Sequence, residues 1–343
     1  MALMIGDISV PARVLLAPMS GISDLPFRQA AEREGARYLV SEMVASEDLA
    51  RSRPDVVLRA ALDEGEGLKV IQLAGREPCW MAEGAKIAED LGADIIDINM
   101  GCPARKVTGL ASGSALMRDL DLAERLIQAT VGATSRPVTL KMRLGWDWRS
   151  LNAGELAQRA EAAGVKMLTI HGRTRCDFYK GQADWQAVGD VVDRTGLPAV
   201  VNGDIASAED ARLALAQSGA DAVMIGRAAM GRLWLAPALE RALETGGDVV
   251  MPSFTARGVM ALEHYRAIIA HYQKGHGEGE ARGIDLGMRM ARKHLAALID
   301  ATPEFSAAEA KAAKTALCTS NDPHEVADHL QRLFGAAREN MAA

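Results

Sequence analysis

At 343 residues the chain exceeds what one hydrophobic core usually holds, and 49% hydrophobic with 24% charged residues is an ordinary globular composition. It shows neither a secretory leader pattern nor an apolar run near the roughly 18 residues that span a bilayer, so export and membrane insertion are not expected. A net charge of −6 argues against a broadly basic nucleic-acid binder, and the scattered Cys79, Cys102, Cys176 and Cys318 form no disulfide framework, which makes a reducing cytoplasm the expected compartment.

In chain order, short apolar runs alternate with amphipathic segments. Val14–Met19 is the first run; it ends at Gly21, where Ser23 or Asp24 can cap a helix starting near Leu25 and Pro26. Further strands are expected at Tyr38–Val44, Lys69–Ala74, Ala93–Met100, Val138–Arg143, Lys166–His171, Ala199–Gly203 and Ala222–Gly226. Helical segments such as Cys79–Leu91, Leu122–Val131, Ala153–Ala163 and Ala206–Ser218 lie between them. Gly35, Gly92, Gly164 and Gly219 precede strands as left-handed helix stops would. Eight strands alternating with helices over about 230 residues predict a (β/α)8 TIM barrel. A doubly wound open sheet is the alternative, but no G-x-G-x-x-G follows the first strand.

After Gly246, Gly247 and Pro252 the strand signal stops. Ser253–Tyr272, Arg282–Ile299, Ser306–Ala316 and Pro323–Ala337 read as helices, separated by a glycine-rich turn at Gly275–Gly283 and by Thr302-Pro303. The expected division is a barrel over 1–247 and a C-terminal helical bundle over 248–343. From Val250 onward basic and acidic residues balance at 11 each, and six of the seven histidines occur there, which permits a polyanionic partner.

Barrel chemistry sits at the C-terminal ends of strands. Those ends read Pro18-Met19-Ser20, Glu42, Gln72, Asn99 with Cys102, Lys141 with Arg143, His171 with Arg173, Asn202-Gly203-Asp204 and Gly226-Arg227. A barrel used only as scaffold would not need polar groups on so many ends. The last two sets follow strands 7 and 8, where such barrels place a phosphate. Each residue alone has a plainer reading: Lys141 paired to a carboxylate, His171 a core histidine, Gly203 and Gly226 turn glycines, Asp204 a helix cap. Their joint placement on one rim favours a site. The fourth strand also runs into a loop within Asp94–Leu116 that carries Gly101, Pro103, Gly109, Gly113 and Cys102. A thiol there is either a small core filler or a reacting group. Ser112-Gly113-Ser114 is not a nucleophile elbow, since G-x-S-x-G is absent.

Six segments together, A-P-M-S-G-I-S-D-L-P-F-R (Ala17–Arg28), I-N-M-G-C-P-A-R-K-V (Ile98–Val107), L-K-M-R-L-G-W (Leu140–Trp146), I-H-G-R-T-R (Ile170–Arg175), V-N-G-D-I (Val201–Ile205) and M-I-G-R (Met224–Arg227), resemble the flavin-dependent tRNA-dihydrouridine synthases. Tyr179-Lys180-Gly181 and Ala183-Asp184-Trp185 are most similar to the bacterial B-type branch. The resemblance covers the barrel and reaches the tail at Arg292-Lys293-His294, although Leu-Ala-Ala-Leu follows where the family pattern has aromatic residues. It implies FMN in the barrel mouth, with Pro18, Met19 and Ser20 at the isoalloxazine and Gln72 and Lys141 on its polar edge. His171, Asn202, Gly203, Asp204, Gly226 and Arg227 would lie along the ribityl chain and phosphate. It also implies NADPH as reductant and a hydride passed to carbon 6 of a uridine in the tRNA D-loop. Cys102 would then give a proton to carbon 5, a role open to a thiol with pKa near ~8.5. Asn99 and Arg143 would hold the base. Arg105, Lys106, Arg173, Arg175, Lys180, Arg289, Arg292 and Lys293 would meet the RNA backbone, with the target nucleotide extruded from its stack.

Two other readings compete. A flavin barrel acting on a free pyrimidine, like a dihydroorotate dehydrogenase, shares this core but needs no helical tail. A non-catalytic RNA-binding flavoprotein would not need Cys102. A zinc enzyme is disfavoured because His171, Cys102 and Cys176 lack paired-ligand spacing, so no metal is expected. The chain is expected to act as a monomer.

Overall fold

A computed structural model describes residues 3–335 apart from 63–64, 66, 110 and 276–279. Much of the predicted Gly275–Gly283 turn, and Leu110 in the glycine-rich loop, lie outside the described residues. The chain opens with an antiparallel hairpin of β1 (Leu3–Ile5) and β2 (Ile8–Val10). It continues through β3 (Val14–Leu16), α1 (Leu25–Arg33), β4 (Tyr38–Val40), β5 (Val44–Ala45), α2 (Ser46–Ala50), α3 (Pro54–Ala60), β6 (Leu68–Ala74) and α4 (Pro78–Asp90). β7 (Ile95–Met100) leads by a short α5 (Arg105–Thr108) and a 3-10 turn (Gly113–Arg118) into α6 (Leu120–Val131). Then come β8 (Val138–Arg143), α7 (Ala153–Ala162), β9 (Met167–His171), α8 (Trp185–Val192), β10 (Ala199–Asn202), α9 (Ala208–Ser218), β11 (Ala222–Ile225) and α10 (Leu235–Thr245).

β3, β4 and β6 to β11 pair in parallel in that order, and β11 returns to β3, so the sheet closes as an eight-stranded barrel. The predicted TIM barrel is therefore the architecture. Gly35, Gly92, Gly164 and Gly219 do adopt positive φ, between 64° and 106°. Most strand boundaries shift by one or two residues, and two differ more. The first run ends at Leu16: Ala17 N still donates to Ile225 O at 2.9 Å, but Pro18 has no N–H to continue the ladder. The Tyr38–Val44 run divides into β4 and β5, and between them Ser41 Oγ accepts from Gln72 N at 3.0 Å.

Strand alternation sends Ile95, Asp97 and Asn99 inward and packs Ile96 and Ile98 under the outer helices. The interior is layered as a result. Its floor is apolar, with Leu15, Tyr38, Val70 and Val200 packed on Leu3, Ile5 and Val10 of the hairpin, which plugs the N-terminal end. Polar side chains occupy the layers above. The hairpin had no clear signal in sequence, because three-residue strands are too short to display a period.

α11 (Phe254–Lys274), α12 (Glu280–Asp300), α13 (Ala307–Thr319) and α14 (Pro323–Gly335) surround a second core centred on Tyr265, Ile268, Leu295 and Leu330. α10, by contrast, packs Leu235 and Leu239 into the barrel's core. The tail docks beside α1, which Asp24 caps by accepting from Phe27 N at 3.1 Å. Tyr272 Oη donates to Asp24 Oδ2 at 3.0 Å, and Lys293 Nζ donates to Gly21 O at 3.1 Å. Gly231 allows α12 to come close, since a Cβ there would lie 2.3 Å from Leu298 N.

Candidate active site

The C-terminal mouth of the barrel holds a cavity of about 830 Å³, a size typical of cofactor pockets. Pro18, Met19, Ser20, Gln72, Lys141, His171, Asn202, Gly203, Asp204, Gly226 and Arg227 all face it, and so do Asn99, Cys102 and Arg143. Met43, Tyr179 and Met230 are among the further wall residues that were not picked out as site residues. Of these only Tyr179 had a signal, as an aromatic residue beside Lys180 and Gly181.

A chain of hydrogen bonds positions the thiol. Asp97 accepts from Thr139 Oγ1 at 2.6 Å and from Gln72 Nε2 at 2.7 Å. Gln72 Oε1 in turn accepts from Asn99 Nδ2 at 2.7 Å, and Asn99 Oδ1 accepts from the N–H groups of Gly101 and Cys102 at 3.2 and 3.0 Å. The Cys102 carbonyl is held from the far side by Ser114 N and Oγ at 3.1 and 2.8 Å. Burial pushes the Cys102 thiol pKa up, against the pull of an Ala104 backbone hydrogen bond and of the Arg143 and Lys141 charges. The group is therefore a protonated thiol at neutral pH, with cations near enough to receive a thiolate.

Lys141 Nζ donates to Asn202 Oδ1 at 2.8 Å, and Asn202 Nδ2 donates to Met224 O at 2.7 Å. Burial lowers the Lys141 pKa to about 8, with Asp97 acting in the opposite sense. His171 is pushed well below its ordinary value by burial and by Lys141, Arg143, Arg173 and Arg227 around it. It is a neutral ring. Arg173 Nη1 lies 3.3 Å from His171 Nε2, and a guanidinium can only donate, so Nδ1 carries the imidazole proton. Arg143 bonds Gly101 O at 2.8 Å, Thr174 O at 2.6 Å and Phe178 O at 2.9 Å, tying the thiol loop to the loop after β9.

At the other end of the cavity, Gly203 (φ 119°) and Asp204 (φ 55°) turn the chain sharply. Asp204 does not cap α9, a task done by Ser207. Its Oδ2 accepts from Arg173 Nη2 at 2.5 Å and from Ala183 N at 2.8 Å, while Oδ1 meets Arg227 Nη2 only at 3.4 Å. The Arg227 side chain is 58% exposed and weakly held, which leaves it able to turn toward an anion.

The cations predicted for RNA divide into two groups. Arg173 is buried and bonds Asp204, Lys180 O and Gly181 O, so it builds the cavity wall from behind. Arg175 lies over the rings of Trp146 and Phe178 at 4.6 and 4.5 Å, and Arg292 bonds Ser320 O and Asn321 Oδ1. Arg105, Lys180, Arg289 and Lys293 are exposed, Lys293 while holding the Gly21 carbonyl. The Lys106 side chain lies outside what is described.

With this geometry in place, comparison with known proteins is decisive. A family model described as dihydrouridine synthase (Dus) matches residues 15–336. The chain belongs to the dihydrouridine synthase family. A relative from Rhizobium leguminosarum bv. phaseoli, named a probable tRNA-dihydrouridine synthase, is 50% identical over 96% of this chain and 97% of its own length. Another of the same name from Rhodobacter capsulatus is 52% identical over 86% of this chain and 88% of its own. The tRNA-dihydrouridine synthase B of Pseudomonas aeruginosa is 41% identical over 85% of each chain. Among solved structures, morphinone reductase in complex with tetrahydroNAD superposes with TM-score 0.51 at 15% identity, covering 74% of this chain and 92% of that one. A 6-hydroxypseudooxynicotine amine oxidase from Pseudomonas geniculata N1 does so with TM-score 0.56 at 12% identity, over 78% and 52%. These distant structures share the fold. Like its family, this dihydrouridine synthase homologue is an oxidoreductase. No helix among its described residues is long and apolar enough to cross a membrane.

Proposed function

We propose that this chain is a cytoplasmic tRNA-dihydrouridine synthase that reduces the 5,6 double bond of a uridine in the tRNA D-loop, using FMN and NADPH. One observation carries the reading: Cys102 and the paired glycine turns at Gly203 and Gly226 open onto a single cavity of about 830 Å³. The residues present fit FMN. Pro18, Met19, Met224 and Met230 give apolar wall for a flat ring, Lys141 and the neutral His171 give donors, and Arg227 is a loosely held cation for a phosphate. A Cβ at Gly203 would sit 2.7 Å from Ala183 Cβ, so only glycine lets the backbone turn close to that end.

FMN held by these residues would supply a hydride to carbon 6 of the pyrimidine, and NADPH would restore its electrons. Everything else falls to the chain. The Cys102 thiol gives its proton to carbon 5, where the negative charge would otherwise accumulate, and the thiolate it leaves is stabilised by Arg143 and Lys141. Asn99 fixes the thiol loop, and Tyr179 and Arg143 border the space a base must enter. The nucleotide has to leave its stack to reach that space.

The test is direct. Dihydrouridine is mapped in tRNA from cells with and without the protein, and the purified protein is examined for a flavin that NADPH bleaches and unmodified tRNA recolours. A colourless protein that takes up no flavin would end the proposal. Recolouring by a free pyrimidine but not by tRNA would favour the dehydrogenase-like alternative.

A further inference from the structure

Two histidines are buried where α11 and α12 meet the first turn of α1. His264 and His294 each retain 4% of their accessible surface, and Asp24 retains 2%. His264 Nε2 and both ring nitrogens of His294 have no hydrogen-bond partner. Buried polar groups in native proteins are rarely left so, and an orphaned group calls for an occupant that satisfies it. A ligating atom of Asp24, of His264 and of His294 all lie within 4.8 Å of one another. The two rings meet edge to face with centroids 4.7 Å apart. Asp24 accepts one hydrogen bond on each oxygen, from Phe27 N and Tyr272 Oη, and each oxygen keeps a further acceptor site. A cavity of about 20 Å³ touches both histidines and Trp234, whose Nε1 is also without a partner, and it has room for one water.

We propose that Asp24, His264 and His294 bind one divalent transition-metal ion of the zinc type, at a site that staples the tail to the barrel. Two imidazole nitrogens and a carboxylate oxygen supply three ligands, and a water in the small cavity, receiving the Trp234 Nε1–H, supplies the fourth. Imidazole with a single carboxylate selects zinc, cobalt or nickel over magnesium or calcium. Ligands of a tetrahedral zinc stand about 3.3 Å apart for bonds near ~2.0 Å, so the three need only small side-chain rotations to close on an ion. Tyr272 orients the carboxylate from outside, as outer partners of metal ligands do. Arg257, also on the cavity wall, meets Glu304 through Nη2 and the Pro252 carbonyl through Nε, while its Nη1 has no partner. Asp24 caps the helix that follows the Pro18–Ser20 loop, so the ion would fix the tail against the segment that borders the large cavity. The ligands come from opposite ends of the chain, which is why no ligand spacing announces them and no metal was expected from sequence.

Chelator-treated full-length protein is titrated with Zn²⁺ or Co²⁺, its retained metal measured by mass spectrometry after gel filtration, and its melting followed. One retained equivalent and a melting rise of about 3–5 °C are expected at saturating metal. His264→Gln and His294→Gln should lose both, while His324→Gln, at an exposed position, should keep both. Asp24→Asn preserves the helix cap but removes the anionic ligand, so it gives the same reading if the histidine variants fail to fold. A wild-type protein that retains no metal, or an equivalent that survives in Asp24→Asn and in the histidine variants that fold, overturns the site.

Discussion

Asn99 grips the backbone of Cys102, its Oδ1 accepting the Cys102 N–H at 3.0 Å while its Nδ2 donates to Gln72. An amide has one accepting and one donating end, so its orientation is set by what stands behind it. Behind Gln72 stands Asp97, which accepts from Gln72 Nε2 and so turns Gln72 Oε1 toward Asn99. Asp97 therefore decides how two amides face and where the thiol loop rests, without reaching the cavity itself. With FMN saturating, Asp97→Ala should lower turnover by about 10²-fold, the scale of a reacting group displaced by an ångström. Alkylation of Cys102 should change rate in the same variant, and an unchanged labelling rate would count against the relay.

Removing the thiol tests the chemistry rather than its placement. Cys102→Ala should retain cofactor and its reduction by NADPH, but lose roughly 10²–10⁴-fold in reduction of tRNA. Because burial raises the Cys102 pKa, the acid form survives beyond the ordinary thiol range. With FMN saturating, turnover should thus hold through mildly alkaline pH and fall only above it. A rate that climbs steadily with alkalinity would show that a thiolate, not a thiol, is the active form.

Much of this site was legible because barrel strands place chemistry at known ends. The run from Val138 to Arg143 reads as a strand in sequence and is one in the fold, so Lys141 and Arg143 could be aimed at the mouth by alternation alone. Asp97 falls within the predicted Ala93–Met100 strand but was not picked out, because its partners, Gln72 and Thr139, lie on neighbouring strands and no local pattern encodes that pairing. Arg173 and Arg292 show a different limit. Arginines beside a rim read as phosphate contacts in sequence, whereas the carboxylate and carbonyl oxygens that also receive them are set by the fold.

Lys141 gives a pH dependence with a definite sign. Its pKa is lowered to about 8, so the ammonium that would meet the cofactor is lost as pH rises through that value. FMN affinity should weaken from about pH 8 upward, as read by flavin fluorescence titration. Stability of the cofactor-free protein should move the other way. Between about 8 and the ordinary lysine value the unfolded chain binds more protons than the folded one, so folding is favoured as pH climbs through that window. Lys141→Met should remove both trends, leaving neither affinity nor melting sensitive to this window.

Gly203 is the position where backbone shape alone should control the cofactor. A methyl group there meets Ala183 Cβ at 2.7 Å and His171 Cδ2 at 2.9 Å, on a backbone with φ of 119° that side chains disfavour. Gly203→Ala should cost about 1–3 kcal/mol in denaturant unfolding and abolish detectable FMN binding. Gly219→Ala provides the contrast: its φ is 64° but nothing lies within 4 Å of the added carbon, so only the stability loss should appear.

The two groups of cations separate RNA contact from wall construction. Arg105 and Lys180 are exposed, whereas Arg173 is buried with its guanidinium committed to Asp204 and two carbonyls. Phosphate contacts release counterions, so each one removed should reduce the slope of log affinity against log salt by about 0.7–1. Arg105→Ala and Lys180→Ala should therefore weaken tRNA binding and flatten its salt dependence while leaving flavin content intact. Arg173→Leu should instead leave the Asp204 carboxylate without its buried partner, lowering stability and flavin content and altering the salt slope little. If Arg173→Leu reduced the salt slope by a full unit with flavin undisturbed, that arginine would belong to the RNA after all.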